Sequence, residues 1–311
     1  MRRLSTTRLR RALPAILTLA LAAVPASAAA AAPAQVSLHW GRPHHAYGLV
    51  VGLEGAGARV RGTVARYVPG RRVRVVVRRD GRRVLSRSVA VRRMRGGRGT
   101  FLVTFRTRRP GLLQVRAGGA RRGLGMRVLG ASSTSRPAVR LLQNGLAARH
   151  YATSRSGYLD GSTRRALLAY RKVNRLPRVL APGPGIARTL FAGRGGLVPR
   201  YRGARHAEID LSRQVLVLVG AGGDVERIYP VSSGKPSTPT VTGSFRVYAK
   251  TPGVNSHGMI YSSYFTGGYA VHGYGSVPAY AASHGCVRVP PPDAVSIYRW
   301  LTYGTPVNVY P

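Results

Sequence analysis

The stretch Ser283-His284-Gly285-Cys286-Val287-Arg288-Val289 contains the only cysteine of the 311-residue chain. A chain with one cysteine cannot close an internal disulfide, so a lone thiol beside a histidine reads as a candidate nucleophile rather than a staple. Upstream, the apolar run Tyr269-Ala270-Val271 ends in His272-Gly273. A strand ending in His-Gly, then a loop, then Ser-His-Gly-Cys is the most specific pattern in the chain. A cysteine attacks as its thiolate, so it needs a base close by, and the base needs a group that holds its ring.

Three histidines compete for the role of base, each followed by glycine: His257, His272 and His284. His284 is two residues from Cys286, a spacing that shares one face of an extended backbone. His272 ends a strand, and His257 follows a Pro-Gly turn. Gly285 lets a substrate carbonyl approach closely, and the amides around 284–286 are candidate donors to an oxyanion. No acid falls between His257 and Arg288. A backbone carbonyl or a hydroxyl is therefore the simplest partner for the base. Two other readings stay open at this level. Cys286 could be an inert buried thiol, or His272, His284 and Cys286 could be a zinc set, although no glutamate stands nearby as general base.

Around the motif, residues 205–311 read as mainly β. Ala207–Leu211 and Gln214–Val219 form a hairpin, and Val225–Val231, Gly243–Lys250, Met259–Tyr261, Tyr269–His272 and Val307–Tyr310 add strands. A helix is expected over Ala294–Leu301 with Asp293 as its N-cap.

The His-Gly, loop, Ser-His-Gly-Cys, apolar, Arg arrangement resembles the L,D-transpeptidase (YkuD-type) catalytic domain, as do Glu208–Gln214, Gly243-Ser244-Phe245 and Met259–Phe265. The resemblance implies Cys286 as the acyl-carrying nucleophile and His272 as the base, with His284 assisting. It puts Ser283, Gly285, Arg288, Tyr261 and Gly273 on the substrate side. It also implies a peptidoglycan stem peptide as donor, a thioester intermediate and a 3→3 cross-link, with no metal or organic cofactor. The same thioester released to water would give an L,D-carboxypeptidase or endopeptidase, and a non-catalytic wall-binding protein is the reading from another class.

Upstream, the chain divides by composition. Residues 1–28 read as an export signal, with a basic start, an apolar run from Leu13 to Val24 too short to span a bilayer, and Ala26-Ser27-Ala28 as cleavage site. Residues 29–46 are Ala/Pro-rich, as in a flexible lead-in. Residues 47–130 alternate Val and Arg in short runs broken by Pro69-Gly70, Asp80-Gly81 and Pro110-Gly111. That pattern predicts a small β-sandwich and resembles bacterial immunoglobulin-like modules. Over 136–192, the stripe Val139, Leu141, Leu142, Leu146, the turn Asp160–Thr163 and the face Ala166, Leu167, Tyr170, Val173 resemble the three-helix peptidoglycan-binding module. Residues 193–204 are a Gly/Arg-rich linker. The fold class expected is thus multidomain and mainly β.

The chain carries 50 Lys+Arg against 8 Asp+Glu, and only Lys172, Lys235 and Lys250 are lysines. The charge is +21 over 33–130 but only +5 over 198–311. Most of it therefore lies outside the cysteine segment, and it suits adhesion to an anionic matrix. No nucleic-acid-binding motif accompanies it. The expectation is an exported protein of the cell wall that meets stem peptides and anionic wall polymers, with no membrane span after signal cleavage and no nucleic-acid partner.

Overall fold

The computed structural model describes residues 35–311, so the export signal expected over 1–28 lies outside the described residues. The N-terminal module contains β1 (Val36–Trp40), β2 (His44–Ala46), β3 (Leu49–Leu53), β4 (Gly57–Val64) and β5 (Arg72–Arg79). It continues with β6 (Arg82–Ala90), β7 (Arg92–Arg93), β8 (Gly99–Arg106), β9 (Gly111–Ala117) and β10 (Leu124–Leu129). They form two sheets, β1-β4-β8-β7 and β2-β3-β10-β9-β5-β6. Between them Val60, Phe101 and Val103 of one sheet meet Val75, Val77, Val115 and Met126 of the other. In β5, Val73, Val75 and Val77 point inward while the arginines between them point out, which is the period-2 rule of a half-buried strand. Asp80 and Gly81, both at positive φ, close the β5–β6 hairpin in a two-residue turn.

The lead-in expected over 29–46 is strand from Val36 onward. Val36 and Leu38 alternate inward against Ser37 and His39, a five-residue signal that the neighbouring Ala/Pro composition hides.

Three helices follow, α1 (Arg136–Ala147), α2 (Gly161–Val173) and α3 (Pro184–Phe191). Asp160 caps α2, its Oδ1 accepting the Thr163 N–H at 2.8 Å. Burial would raise this carboxyl, but hydrogen bonds from Ser154, the Thr163 amide and Ser156 outweigh it and hold it down at about 2. Gln143 is fully buried; its Oε1 accepts the Gly157 N–H at 2.8 Å and its Nε2 donates to Thr163 Oγ1 at 2.8 Å and Tyr158 O at 3.0 Å. Gln143, with Asp160 and Thr163 of the turn that resembles a binding module, thus holds the α1–α2 connection in shape.

The C-terminal domain contains β11 (His206–Asp210), β12 (Val215–Val219), β13 (Val225–Pro230), β14 (Gly243–Arg246) and β15 (Ala249–Val254). It ends with β16 (Ile260–Thr266), β17 (Tyr269–Gly273), β18 (Val287–Val289), α4 (Pro291–Trp300) and β19 (Pro306–Tyr310). One sheet runs β13-β12-β11-β19-β14 and the other β15-β16-β17-β18. Their shared core includes Ile209, Leu216, Leu218, Val271, Val287, Val289 and Val309, with Ala294 and Ile297 of α4. Helix α4 begins at Pro291, so Asp293 is not its cap but sits in its first turn, where it pairs with Arg165 of α2 at 2.8 Å. Three consecutive prolines favour an earlier start, because proline suits the first helical turn.

The unbroken Val215-Leu216-Val217-Leu218-Val219 of β12 is buried on both faces. Leu216 and Leu218 face the domain core, while Val215, Val217 and Val219 join Leu142, Leu146, Leu167 and Tyr170 of the helices. Residues 150–152 also bond to β13, Ile228 N–H donating to His150 O at 2.8 Å and Ala152 N–H to Ile228 O at 3.2 Å. Lys172, 2% exposed, donates to Val231 O at 2.7 Å and Gln214 O at 3.2 Å. The helices are therefore a fitted cover on the sheet that carries the C-terminal domain.

Candidate active site

Strands β17 and β18 run parallel, pairing Val271 with Val287, His272 with Arg288 and Gly273 with Val289. Val271, Val287 and Val289 point into the core. By strand alternation His272 and Arg288 project from the opposite face, with Cys286 two residues before Arg288 on the same side. This register places Cys286 and the strand-end His272, 14 residues apart in sequence, on one face of adjoining strands.

His272 is 4% exposed and its Nδ1 lies 2.9 Å from Gly273 O. A carbonyl can only accept, so Nδ1 carries the proton and the lone pair sits on Nε2. The group that holds the ring is a backbone carbonyl, the partner expected from the lack of a nearby acid. The five acids of the domain lie elsewhere. Glu208 receives the Tyr201 N–H at 2.7 Å, Asp210 meets Arg213 at 2.7 Å, Glu226 accepts from Trp300 at 2.7 Å and Asp293 pairs with Arg165, while Asp224 is exposed in the β12–β13 turn.

Burial lowers the His272 pKa; the bond to Gly273 O works against this and the Arg288 charge adds to it. Burial raises the Cys286 pKa, with the Ala270 amide and Arg288 pulling the other way. Both shifts favour the uncharged forms, a thiol and a neutral imidazole. The thiol donates to Gly268 O at 3.5 Å.

The turn before the cysteine is held from several sides. Ser283, 1% exposed, donates through Oγ to Cys286 O at 2.5 Å and accepts the Gly285 N–H at 3.1 Å. The Gly285 amide, one of the oxyanion donors suggested by sequence, is thereby engaged. Gly285 has φ +119°, and a Cβ there would lie 2.7 Å from the Tyr269 ring. Thr240 Oγ1 donates to Gly285 O at 2.6 Å and Thr238 Oγ1 to Ser283 O at 3.1 Å. A Cβ on Gly273 would lie 2.7 Å from Ala294 Cβ, so that glycine lets α4 close against β17.

Not every expected residue reaches the thiol. Tyr261 sits at a bulge in β16 with φ +51° and packs edge-on to Tyr298 of α4, 5.3 Å between centroids, with the core cluster. The bulge locally breaks the alternation of β16 and sets the ring against α4. His284 is exposed, its Nε2 3.3 Å from Lys235 Nζ. His257 lies in an exposed turn. Among the described residues no three His, Cys, Asp or Glu gather as a metal set. Arg288 stacks on Tyr274, 4.2 Å to the ring centroid, and Tyr274 meets His272 edge-on at 5.8 Å.

Sequence reasoning passed over Ser232–Thr240, which holds Lys235, Thr238 and Thr240 against the cysteine turn. Ser232 and Arg288 exchange backbone bonds at 3.0 and 2.9 Å. The available signal was Gly234, whose Cβ would lie 2.2 Å from Thr238 O in a turn tight enough to require glycine.

Comparison with known proteins agrees with this geometry. Residues 204–309 match the YkuD family, the L,D-transpeptidase catalytic domain. The crystal structure of an L,D-transpeptidase fragment from Xylanimonas cellulosilytica is 34% identical, with a TM-score of 0.51; the match covers 56% of this chain and 93% of that one. The chain belongs to the L,D-transpeptidase family. The match reaches beyond residues 204–309, since 56% of the chain is about 174 residues. The L,D-transpeptidase of Stackebrandtia nassauensis is 18% identical, with a TM-score of 0.37, over 56% of this chain and 90% of that one. No curated protein matches the chain. L,D-transpeptidases act on the cell wall, and no helix among the described residues is long and apolar enough to cross a membrane.

Proposed function

We propose that this L,D-transpeptidase forms 3→3 peptidoglycan cross-links through a thioester on Cys286, with His272 as general base. The observation that carries the reading is the parallel register of β17 and β18, with the His272 ring held through Nδ1, which leaves the lone pair on Nε2. Nε2 takes the thiol proton as sulfur attacks the carbonyl between the third stem residue and the terminal D-Ala. The tetrahedral oxyanion is met by amides of the turn other than that of Gly285. Collapse expels D-Ala, its nitrogen taking the proton from His272, and leaves the thioester. The amine of a second stem then attacks, gives its proton to Nε2 and releases the thiol. Ser283 and Gly285 shape the turn, Arg288 polarises the acyl group, and His284 with Lys235 lines the exposed rim.

Export and a wall location follow the sequence reading of 1–28. The sandwich is proposed as immunoglobulin-like, and the +21 charge of 33–130 as the source of attraction to anionic wall polymers. Intact-mass measurement with a tetrapeptide-stem muropeptide tests the chemistry. The expected result is a transient acyl adduct on Cys286 and a cross-linked dimer as product. An adduct that resolves only to tripeptide would assign a carboxypeptidase, and no adduct would end the reading.

A further inference from the structure

Between the sandwich and α3 lies a cleft of about 890 Å³, remote in the fold from the cysteine turn. Five arginines line it: Arg42, Arg59 and Arg106 from the sandwich, and Arg188 and Arg194 from α3 and the residues after it. No aspartate or glutamate lines it. Arginine is abundant throughout the chain, and many arginines elsewhere also lack a partner; what differs here is that five converge on one concavity. Elsewhere Arg165 and Arg213 pair with aspartates, Arg72 and Arg74 bond serines on the adjacent strand, and Arg171, Arg178 and Arg205 bond backbone carbonyls. Among the described residues none of the five cleft guanidinium groups has a hydrogen bond or ion pair with a protein group. Five like charges in one concavity raise its potential, and a bound polyanion lowers it.

Four aromatic side chains, Trp40, His44, Phe105 and Phe191, share the wall with small and aliphatic residues. Trp40 meets Phe105 edge-on at 6.5 Å, its indole N–H fixed on Gly125 O at 3.1 Å, and Phe191 lies on His44 at 4.2 Å. Arg188 crosses from the helical module to Gly55 of the sandwich, whose Cβ position would lie in ordinary contact, 3.4 Å from its Nε. The site is therefore built from both modules.

Guanidinium forks grip phosphate oxygens two at a time, and rigid aromatic walls suit the C–H faces of sugars or polyols. We infer that this cleft binds an anionic polymer of phosphodiester-linked sugar or polyol units. The inference rests on the wall location proposed above for where such a polymer is met, but not on the chemistry at Cys286.

The test is fluorescence anisotropy of a labelled glycerol-phosphate decamer with the full mature chain at about 150 mM salt. Arg59→Ala with Arg188→Ala is expected to weaken binding by about tenfold or more, as two charge-assisted contacts are lost. Arg82→Ala with Arg83→Ala, an equal charge loss at the β5–β6 hairpin outside the cleft, is expected to cost less than about threefold. Equal losses from the two pairs would overturn the site and assign the attraction to diffuse charge. Arg59→Lys with Arg188→Lys keeps the charge without the fork, is expected to lie between wild type and the alanine pair, and carries the test if the alanine pair fails to fold; wild-type affinity in the lysine pair would overturn the phosphate grip. An oligogalacturonate of equal charge is expected to bind more weakly, and equal binding would overturn the phosphate assignment. D-Ala release from a soluble stem peptide is expected to be unchanged in all variants, so failure here and failure of the proposed chemistry are read separately.

Discussion

The neutral resting pair can be tested by comparing two reactions of one sulfur over a pH series. Burial moves Cys286 up and His272 down, so neither group is charged at neutral pH. A thiol titrating above the usual value of about 8.5 is less than about 3% thiolate at pH 7 and less than about 0.3% at pH 6. Iodoacetamide needs no help from His272 and reads only that fraction. Its rate is expected to rise close to tenfold per pH unit from pH 6 to beyond 8.5. Intact mass suffices as the assay because the chain has no second cysteine.

Acylation by a stem peptide should behave differently, because His272 removes the proton during attack. Its kcat/KM is expected to rise only while His272 loses its proton, below the usual histidine value of about 6.5, and then to stay level until the thiol itself ionises. His272→Ala should leave the alkylation slope intact and lower acylation by ~10²–10⁴-fold. A fast, flat alkylation rate between pH 5 and 7 would refute the reasoning, since it would show a preformed thiolate–imidazolium pair.

Cys286→Ala should abolish D-Ala release with an unchanged melting temperature; release at the wild-type rate would remove Cys286 from the chemistry. His257→Ala should leave the rate within about threefold of wild type and His284→Ala should fall between it and His272→Ala, because His257 lies in an exposed turn and His284 on the rim beside Lys235. Gly273→Ala should lower stability by about 1–3 kcal/mol, as overpacking of a filled contact does, because its Cβ would lie 2.7 Å from Ala294 Cβ and 3.0 Å from Ile260 Cβ; denaturant unfolding measures it. Lys172 is pushed down to about 7 by burial, with Arg178 adding to the shift. Between pH 7 and its unfolded value near 10.5 the unfolded chain binds the extra proton, so stability should rise with pH in that window, by at most about 1.4 kcal/mol per unit, and Lys172→Met should flatten the slope. A chain cut to 198–311 should melt far below one cut to 131–311, because it uncovers Val215, Val217, Val219, Val225 and Ile228; similar melting of the two would show that the helices are dispensable.

The site was legible because its signals are short-range. The Ser-His-Gly-Cys turn and the strand ending in His272 each carry their chemistry within a few residues, and the parallel pairing follows once both lie in one sheet. Lys235, Thr238 and Thr240 were not legible, because they reach the cysteine turn only through bridges from Ser232 and Gly234 to residues about 50 positions away. The sandwich strands that alternate valine with arginine announced themselves. Strands β1 to β3 did not, since Val36-Ser37-Leu38 is too brief to stand out beside the Ala/Pro-rich lead-in.

The helical module shows how a family-like pattern can have a structural cause. Gln143, Asp160 and Thr163 satisfy one another and the turn between α1 and α2, and the stripe of Leu142, Leu146, Leu167 and Tyr170 lies on β12 and β13. Lys172 and Arg165 lead further into the C-terminal domain, to Val231 O and Asp293. The polar signature and the apolar face are both engaged inside the protein, which leaves the module little surface of that kind for glycan. The proposed wall contact then falls to the end that is not docked on the catalytic sheet, where Arg188 and Arg194 face the sandwich. The proposed retention and the proposed chemistry thus divide along the chain: the helices pack on the catalytic sheet on one side and complete an arginine cleft on the other, while the candidate nucleophile Cys286 lies in the C-terminal domain.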